Sequence, residues 1–426
     1  MFDVIELMRA RGLLDGLSSE ELSKAAEKPL GVYCGVDPTA DSLHLGNLLF
    51  IVVLRWWQLA GHRPVVLVGG ATGCIGDPGG RSVERPILSM ETIRHNLACQ
   101  EAQLRRLLPS EGHLHPIVLV NNADWFGSMG ALDFLRDVGK HVRVGQMLAK
   151  EAVRTRLQSE EGISYTEFSY QILQAYDFLY LHRHQKVDVQ LGGSDQWGNI
   201  TAGIDLVRRL EGETVYGVTF PLLLRSDGKK FGKSEEGAVW LDGTRVSPYD
   251  LYQYLLRIPD VDVITMLKRL TFLPLEEIGG IEQAMMRPEY TPFQAQTILA
   301  QEVVRFVHGE SGLAQAQLLT KQAAPGGETQ LDLATLEALA KNLPLLRREE
   351  KELVGRKVVD LLSELKLTSS KGEAKRLITN GGVSLNNQRL TDSERSLQPE
   401  DFIEQRFALV AVGKHKKAVI EQINLF

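Results

Sequence analysis

Two segments of this sequence carry side chains that suit the binding of phosphate groups. The first is HLGN at residues 44–47, which opens an apolar helical pattern with His44, Gly46 and Asn47. The first turn of a helix presents unpaired N–H groups and a partial positive charge, so it attracts anions. His44 and Asn47 share one helical face and both donate hydrogen bonds, while Gly46 lets a flat ring approach the backbone. The pattern predicts a nucleotide site, with a surface histidine beside a helix-packing glycine as the alternative.

The second segment is GKKFGKSEEG at residues 228–237, in which Lys230, Lys233 and Ser234 lie among glycines. It is not a Walker phosphate loop, because Asp227 stands where that pattern requires glycine. Clustered donors between glycines suit a loop that closes on a polyphosphate as charge develops in a transition state. A solvated basic turn is the alternative that this segment alone leaves open.

Polar side chains also cluster where the first strand-like run, GVYCGV, comes to its end. Ligands collect at the carboxyl ends of the strands in a parallel sheet, so this cluster predicts a binding site. An Asp-Pro-Thr turn without function is the alternative. The cluster consists of Tyr33, Cys34, Gly35, Asp37 and Thr39.

A fourth set of candidate residues lies in the segment SYTEFSYQILQAYDF. Tyr170, Gln174 and Asp177 stand at i, i+4 and i+7, which places them on one face of a helix. An ordinary core helix with a tyrosine stripe is the alternative. We favour a binding face, because an aspartate directed inward among aromatic residues is costly unless it has a partner.

Composition and charge exclude several classes of protein. The chain has 54 Asp and Glu against 48 Lys and Arg, a net charge of −6 that argues against a protein coated in nucleic acid. Residues 351–426 carry 13 Lys and Arg against 10 Asp and Glu, which indicates a polyanion partner at that end. No apolar run approaches the ~20 residues of a membrane span. The sparse cysteines Cys34, Cys74 and Cys99 lack metal-finger spacing and indicate a reducing cytoplasm.

The order of strand-like and helix-like segments predicts the fold class. Short β-branched runs such as RPVVLVGG and KVDVQLGG alternate with amphipathic segments, which is typical of a parallel sheet covered by helices. From about residue 247 to residue 318 the pattern is helical, and TKQAAPGGETQLD then has the composition of a linker. A small α/β unit follows from about residue 356.

The motifs taken together are similar to those of a known family. HLGN and KFGKS resemble the HIGH and KMSKS signatures of class I aminoacyl-tRNA synthetases. With YCGVDPTADSLHLGN, GGATGCIGDPGG, SYTEFSYQILQAYDF and QLGGSDQWGNI, the sequence resembles the bacterial-type tyrosyl-tRNA synthetases over essentially its whole length. Two departures stand out: Asn47 replaces the final histidine of HIGH, and Arg81 replaces a common lysine.

The resemblance implies an α/β fold with three folded domains. A Rossmann-like parallel-sheet catalytic domain is expected first, with a connective insertion that forms a homodimer interface. An α-helical domain on the anticodon side and a small C-terminal α+β RNA-binding domain of the S-four type follow. The expected bounds are 1–246 for the first domain, about 121–165 for its insertion, 247–320 for the helical domain, 321–354 for a linker and 355–426 for the last domain.

The resemblance also implies a role for each matching residue. Tyr33 and Asp177 would hydrogen-bond the phenol of L-tyrosine. The rest of the amino-acid pocket would be Asp77, Tyr170, Gln174 and Gln196, of which the first three hold the ammonium group. ATP would contact Cys34, Gly35, Asp37, His44, Gly46, Asn47, Gly193, Asp195, Lys230, Lys233 and Ser234. Residues expected to act in catalysis around the leaving pyrophosphate are Thr39, His44, Asn47, Arg81, Arg85, Lys230 and Lys233. The residues expected to contact RNA are Lys371, Lys375 and Arg376.

The function that the resemblance implies is ligation of tyrosine to tRNA through a tyrosyl-adenylate, in a cytoplasmic homodimer without membrane attachment. Mg²⁺ would arrive with ATP, and neither a bound metal centre nor a structural metal is expected. A tryptophanyl-type synthetase is one alternative, against which the phenol-directed pair Tyr33 and Asp177 argues. A non-catalytic RNA-binding scaffold is the other, against which the intact lysines and His44 argue.

Overall fold

The fold is described from a computed structural model. It describes residues 2–79, 88–109, 115–160, 162–229, 231–234, 237–323, 331–341, 343–413 and 416–423, and for Lys233 and Ser234 only the backbone. The chain forms two compact units. The first unit comprises residues 1–245 and 258–303, and the second comprises residues 246–257 and 304–426.

The first unit is built on a six-stranded sheet. Its strands are β1 (Gly16–Leu17), β2 (Gly31–Val36), β3 (Arg63–Val68), β4 (Val118–Asn121), β5 (Val187–Gly193) and β6 (Tyr216–Phe220). The spatial order is β1-β6-β5-β2-β3-β4, and all neighbours are parallel except the edge pair β1 and β6. The apolar runs β2, β3 and β5 are buried, as expected for parallel strands covered on both faces.

Helices cover this sheet and connect its strands. They are α1 (Val4–Arg11), α2 (Glu21–Ala25), α3 (Leu45–Leu59), α4 (Met90–Leu107), α5 (Ala123–Phe126), α6 (Ala131–Asp137), α7 (Val144–Leu148), α8 (Glu151–Leu157), α9 (Tyr165–Gln185) and α10 (Trp197–Glu211). Ser89 and Ser164 cap α4 and α9 with side-chain oxygens, which satisfies backbone N–H groups that have no partner within the helix. The predicted parallel-sheet core is thus confirmed.

A helical region follows the sheet, as the sequence predicts. After the two-residue strands β7 (Lys233–Ser234) and β8 (Gly237–Ala238) come α11 (Pro248–Leu256), α12 (Asp260–Leu270), α13 (Leu275–Met285) and α14 (Gln294–Gln322), which is interrupted at Gly309. Residues 258–303, which the sequence assigns to the helical domain, group with the first unit. None of the helices in the described part of the chain combines the length and apolarity needed to cross a membrane.

The second unit contains a five-stranded sheet. Its remaining elements are α15 (Leu333–Ala340), β9 (Leu345–Glu349), α16 (Glu350–Leu353), α17 (Val358–Glu364), α18 (Lys371–Thr379), β10 (Val383–Leu385), β11 (Gln388–Leu390), β12 (Phe407–Val412) and β13 (Lys416–Ile423). The strand order is β11-β10-β12-β13-β9. Within the predicted linker, β9 pairs in parallel with β13, more than 60 residues further along the chain. The composition of a short segment does not predict pairing with a strand so far away in the sequence.

The strand order of the first sheet determines where a ligand site forms. From β2 the chain proceeds outward through β3 to β4, and it then crosses to the other side to form β5 and β6. The neighbours β2 and β5 therefore flank the point at which the chain changes direction. Ligands bind outside the carboxyl ends of the strands at such a point.

Candidate active site

A cavity of about 330 Å³ lies at the carboxyl ends of β2 and β5. This cavity is lined by all the residues that the sequence analysis assigns to the binding of the amino acid or the nucleotide and whose side chains the structure describes. These residues are Tyr33, Cys34, Gly35, Asp37, Thr39, His44, Gly46, Asn47, Asp77, Tyr170, Gln174, Asp177, Gly193, Asp195 and Gln196. Arg81, Arg85 and Lys230 lie outside the described residues, as do the side chains of Lys233 and Ser234.

The HLGN segment forms the capped first turn of α3. The Nδ1 atom of His44 accepts a hydrogen bond from the Asn47 backbone N–H at 3.2 Å. The Asn47 Oδ1 atom accepts in return from the His44 backbone N–H at 3.0 Å, which completes a capping box. Because Nδ1 accepts, the neutral His44 ring carries its proton on Nε2, where it is a donor. Asn47 therefore contributes a carboxamide oxygen to the cap and retains its Nδ2 group as a donor.

The second signature segment lies against this turn. Val239 connects the two: its carbonyl accepts from the Leu45 N–H at 2.7 Å, and its N–H donates to the Gly232 carbonyl at 2.8 Å. Gly232 has a positive φ of 80°, and a Cβ atom at this position would lie 3.0 Å from the Gly46 nitrogen. Only glycine suits this combination of left-handed backbone and close approach. The fold thus brings two segments that are distant in sequence to one edge of the cavity.

The inner end of the cavity holds a buried carboxylate. Asp177 is 2% exposed, and its two oxygens accept hydrogen bonds from Asn122 Nδ2 at 3.1 Å and from Trp125 Nε1 at 3.0 Å. Burial raises the pKa of Asp177 well above its ordinary value, and these two donors oppose that shift. The hydroxyl of Tyr33 is also buried here and has no hydrogen-bond partner among the described residues. A ligand hydroxyl that donates to Asp177 and accepts from Tyr33 would complete this end of the site.

A chain of hydrogen bonds connects the carboxylate to the rest of the cavity wall. The Asn122 amide also donates to Thr72 Oγ1 at 2.9 Å, and Thr72 donates to Asp37 at 2.8 Å. The other oxygen of Asp37 accepts from the Tyr170 hydroxyl at 2.9 Å. Asp37 and Tyr170, which lie 133 residues apart, are therefore held together as one wall.

A second network forms the wall expected to hold an ammonium group. Gln196 donates to Asp77 at 2.6 Å, and its carbonyl oxygen accepts from Gln174 at 3.2 Å. Asn199 donates to the carbonyl oxygens of both glutamines, at 2.9 Å to Gln174 and 3.2 Å to Gln196. The carboxylate and the amide oxygens give this wall a surplus of acceptors, which suits a cationic ligand group.

The nucleotide end of the cavity is shaped by β2 and β5. A Cβ atom on Gly193 would lie 2.6 Å from an Asp195 carboxylate oxygen, so a side chain at this position would displace the carboxylate from its place at the cavity. Burial raises the pKa of the Cys34 thiol to about 12, which keeps it protonated at neutral pH. A protonated thiol is a weak hydrogen-bond donor rather than a nucleophile. No nucleophile–base pair is evident among the described residues of the cavity.

Sequence reasoning missed several residues of these networks. The ring centroids of Trp240 and His44 are 6.1 Å apart. The Arg245 guanidinium lies over the Trp240 ring, 3.7 Å from its centroid. The other missed residues are Thr72, Asn122, Trp125 and Asn199. Four of these residues belong to the motifs GGATG, NNADW and SDQWGN, which are polar segments at the ends of strands. Their position at the carboxyl ends of strands was the signal in the sequence that could have identified them.

The predicted RNA-contacting residues belong to the second unit. Lys371, Lys375 and Arg376 lie on α18 and are exposed. Lys371 forms an ion pair with Asp360 at 2.7 Å, and Lys375 forms one with Glu394 at 2.9 Å. Exposed pairs of this kind are weak, so the lysines are able to exchange partners for phosphates. No cluster of metal-ligating side chains is found within the described ranges.

Comparison with known proteins agrees with this geometry. A family model described as tRNA synthetases class I (W and Y) matches residues 24–323, and one for the tyrosine–tRNA ligase SYY-like C-terminal domain matches residues 335–420. A tyrosine–tRNA ligase of Protochlamydia amoebophila is 49% identical over 420 residues and aligns with 99% of both chains. The chloroplastic/mitochondrial tyrosine–tRNA ligase of Arabidopsis thaliana is also 49% identical, over 98% of this chain and 83% of that protein.

A solved structure extends the comparison to three dimensions. The C-terminally truncated mitochondrial tyrosyl-tRNA synthetase of Aspergillus nidulans superimposes with a TM-score of 0.67 and 31% identity, over 76% of this chain and 94% of that one. The parallel sheet, the cavity at its switch point, the two apposed signature segments and the full-length relatives agree with one another. The chain therefore belongs to the tRNA synthetase class I (W and Y) family, among the tyrosine–tRNA ligases.

Proposed function

We propose that this protein activates L-tyrosine with ATP to give tyrosyl-adenylate and pyrophosphate, and then transfers the tyrosyl group to the 3′ end of tRNA(Tyr). The observation that carries the proposal is the buried pair at the inner end of the cavity. Asp177 accepts, and the Tyr33 hydroxyl has no hydrogen-bond partner within the described part of the chain, so the pair suits a phenol hydroxyl. Neither an indole nor a benzyl group offers a hydroxyl to satisfy both residues.

The first step needs positioning and charge stabilisation rather than acid–base chemistry. The tyrosine carboxylate attacks the α-phosphate of ATP, the bond from this phosphorus to the bridging oxygen breaks, and pyrophosphate leaves with that oxygen. Since the nucleophile is already an anion, no general base is required, in keeping with the residues of the cavity. His44 would donate through Nε2 to the phosphates at the start of α3, together with Thr39 and Asn47. Lys230, Lys233 and Ser234 of the apposed segment, with Arg81 and Arg85, would supply the remaining donors.

The substrate groups would occupy opposite ends of the cavity. The ammonium group of tyrosine would lie against the acceptor-rich wall of Asp77, Gln174 and Gln196, and Tyr170 of the neighbouring wall would contact it as well. Adenosine would lie over Gly46. Its ribose would lie near Cys34, Gly35, Gly193 and Asp195, and Asp37 would also be close to the nucleotide. Magnesium would enter as the MgATP substrate, because oxygen ligands of the phosphates suit it better than an all-protein cage.

The tRNA and dimer assignments rest on surface chemistry. The exposed basic residues Lys371, Lys375 and Arg376 would contact phosphates of tRNA. The proposed insertion over about 121–165 exposes apolar side chains, including Leu132 at 81% and Val144 at 60%. Exposed apolar side chains concentrated in one segment are typical of an interaction surface, which supports a homodimer formed there. We place the protein in the cytoplasm, where its free cysteines would remain reduced.

Isotope exchange between pyrophosphate and ATP tests the proposed reaction. The exchange should depend on tyrosine, and phenylalanine and tryptophan should support it at least 100-fold less well at equal concentration, since each buried polar group left unpaired costs about 1–3 kcal/mol. Exchange supported best by tryptophan would favour a tryptophanyl-type enzyme. Absence of exchange with any amino acid, while tRNA is bound, would favour a non-catalytic scaffold.

Substitution of Tyr33 by phenylalanine separates binding from stability. The buried hydroxyl has no partner among the residues that the structure describes, so its removal should leave the free energy of unfolding unchanged or raise it, by up to about 1 kcal/mol. The same change should lower kcat/KM for tyrosine in pyrophosphate exchange about tenfold, the effect of one lost hydrogen bond. Thermal unfolding and exchange kinetics measure the two effects. A less stable variant with unchanged kcat/KM would contradict the assigned role.

A further inference from the structure

Helix α4 buries amides on the face where a helix normally buries apolar residues. Asn96, Gln100 and Gln103 follow each other at helical spacing and are 4%, 2% and 6% exposed. They lie between the apolar residues Ile93 and Leu107 on the same buried side of the helix. Burial of an amide is costly unless its hydrogen bonds are made. Three buried amides on successive turns of one helix therefore indicate that their hydrogen bonds have a specific role.

Their hydrogen bonds converge on the loop between β2 and α3. The Asn96 amide donates to the Pro38 carbonyl at 3.0 Å, and the Gln100 amide donates to the Ala40 carbonyl at 2.9 Å. Gln103 accepts from the Leu43 N–H at 2.9 Å. Loop backbone groups on both sides of Thr39, and the residue directly before His44, are therefore held by side chains of one helix.

Gln103 also connects this loop to the strand-like segment that follows the second signature. Its amide nitrogen donates to Ser42 Oγ at 3.1 Å and approaches an Asp242 carboxylate oxygen at 3.4 Å. Ser42 Oγ in turn accepts from the Asp242 N–H at 3.2 Å, and the Leu241 N–H donates to the Leu43 carbonyl at 2.8 Å. The same side chain thus fixes the loop before α3 and the segment after Gly232 relative to one another.

We propose that Asn96, Gln100 and Gln103 are positioning residues for amino-acid activation, a role that rests on the proposed function. They hold the backbone from Pro38 to Leu43 so that Thr39 and His44 face the phosphates of ATP in the geometry that the transition state requires. None of the three needs to touch the reacting atoms, although Gln100 also lines the cavity. A misplacement of about 1 Å in a catalytic constellation lowers a rate by about 10²-fold, so the loss of this support should be measurable.

The test is a double variant, Gln100→Met with Gln103→Met, together with each single variant. Methionine has nearly the length and volume of glutamine and lacks the amide hydrogen bonds, so packing is retained. In single-turnover experiments at saturating tyrosine and ATP, the rate constant of adenylate formation should fall about 10- to 100-fold in the double variant. The dissociation constant of tyrosine should change less than threefold, because the amino-acid end of the cavity is held by other contacts.

A matched control is available in the same unit. Gln296 is 1% exposed and donates to the backbone carbonyl of Ile258 at 3.1 Å and to an Asp260 carboxylate oxygen at 2.6 Å. Like Gln100, it has an Oε1 atom without a partner in the described ranges. It does not line the cavity. Because Gln296 makes one hydrogen bond more than Gln100, Gln296→Met should lower the melting temperature at least as much as Gln100→Met. It should nevertheless leave the rate of adenylate formation unchanged.

The outcomes separate the inference from the function on which it rests. Normal adenylate formation in the double variant would overturn the inference alone. A tyrosine dissociation constant that rises in step with the rate loss would also overturn it, because it would indicate general damage. If the unaltered protein forms no adenylate with tyrosine, the proposed function fails and the inference fails with it.

Discussion

Replacement of His44 by alanine is expected to lower the rate constant of adenylate formation by about 10²–10³-fold, the usual effect of removing one donor aimed at developing charge. The ring has two roles. Its Nδ1 atom caps α3, and in the neutral tautomer its Nε2–H group is a hydrogen-bond donor at the cavity. Loss of the cap should also lower the free energy of unfolding by about 1 kcal/mol. Single-turnover kinetics at saturating tyrosine and ATP measure the first effect, and thermal unfolding measures the second.

His44→Asn serves as the matched control, because it separates the two tasks. Asparagine is a good helix cap, and its Oδ1 can accept from the Asn47 N–H as Nδ1 does. Its amide does not extend as far as the imidazole Nε2. Stability should therefore recover while the rate remains low. If the rate recovers together with stability, His44 acts only as a cap, and the assigned contact with phosphate is wrong.

Substitution of Asp177 by asparagine should reduce the preference for tyrosine over phenylalanine by about 10- to 100-fold, because one hydrogen bond to a charged acceptor contributes about 1.5–3 kcal/mol. Sites that bind a substrate hydroxyl reject the analogue without it by about 10⁴–10⁵, and tyrosyl-tRNA synthetase is itself the reference example of that range. The ratio of kcat/KM values for the two amino acids measures the effect. An unchanged ratio would show that the phenol is recognised elsewhere.

Tyrosine binding should also depend on pH through Asp177. A phenol O–H donates to the ionised carboxylate, so this part of the affinity is present above the pKa of Asp177 and is lost as pH falls through it. Burial raises that pKa, so the loss should begin at a higher pH than for an ordinary carboxyl group. Phenylalanine cannot make this hydrogen bond, and its binding should lack this dependence.

Asp188→Asn is the matched control for this prediction. Asp188 lies on β5, its pKa is also raised by burial, and it does not line the cavity. The variant should retain both the preference for tyrosine and the pH dependence of tyrosine binding. Equilibrium dialysis across a pH series measures the dissociation constants. The same pH dependence in Asp177→Asn as in the unaltered protein would contradict the role assigned to this carboxylate.

The sequence by itself determined which local segments line the cavity. GVYCGV forms β2 over the predicted residues, and the spacing of Tyr170, Gln174 and Asp177 places all three on the cavity wall. HLGN predicts the polar first turn of α3, and in the structure Asn47 completes the capping box of that turn. Helical periodicity, strand alternation and capping act within one or two turns of chain, so they can be read from neighbouring residues.

The tertiary structure alone decided how distant residues complete the site. Asn122 and Trp125 are 55 and 52 residues away from Asp177, and Gln103 is 139 residues away from Asp242. The pairing of β9 with β13, within a stretch whose composition indicates a linker, is of the same kind. Such contacts depend on how sheet and helices pack, and not on local preference. A buried carboxylate needs partners, but its own segment of chain does not specify which residues packing will bring to it.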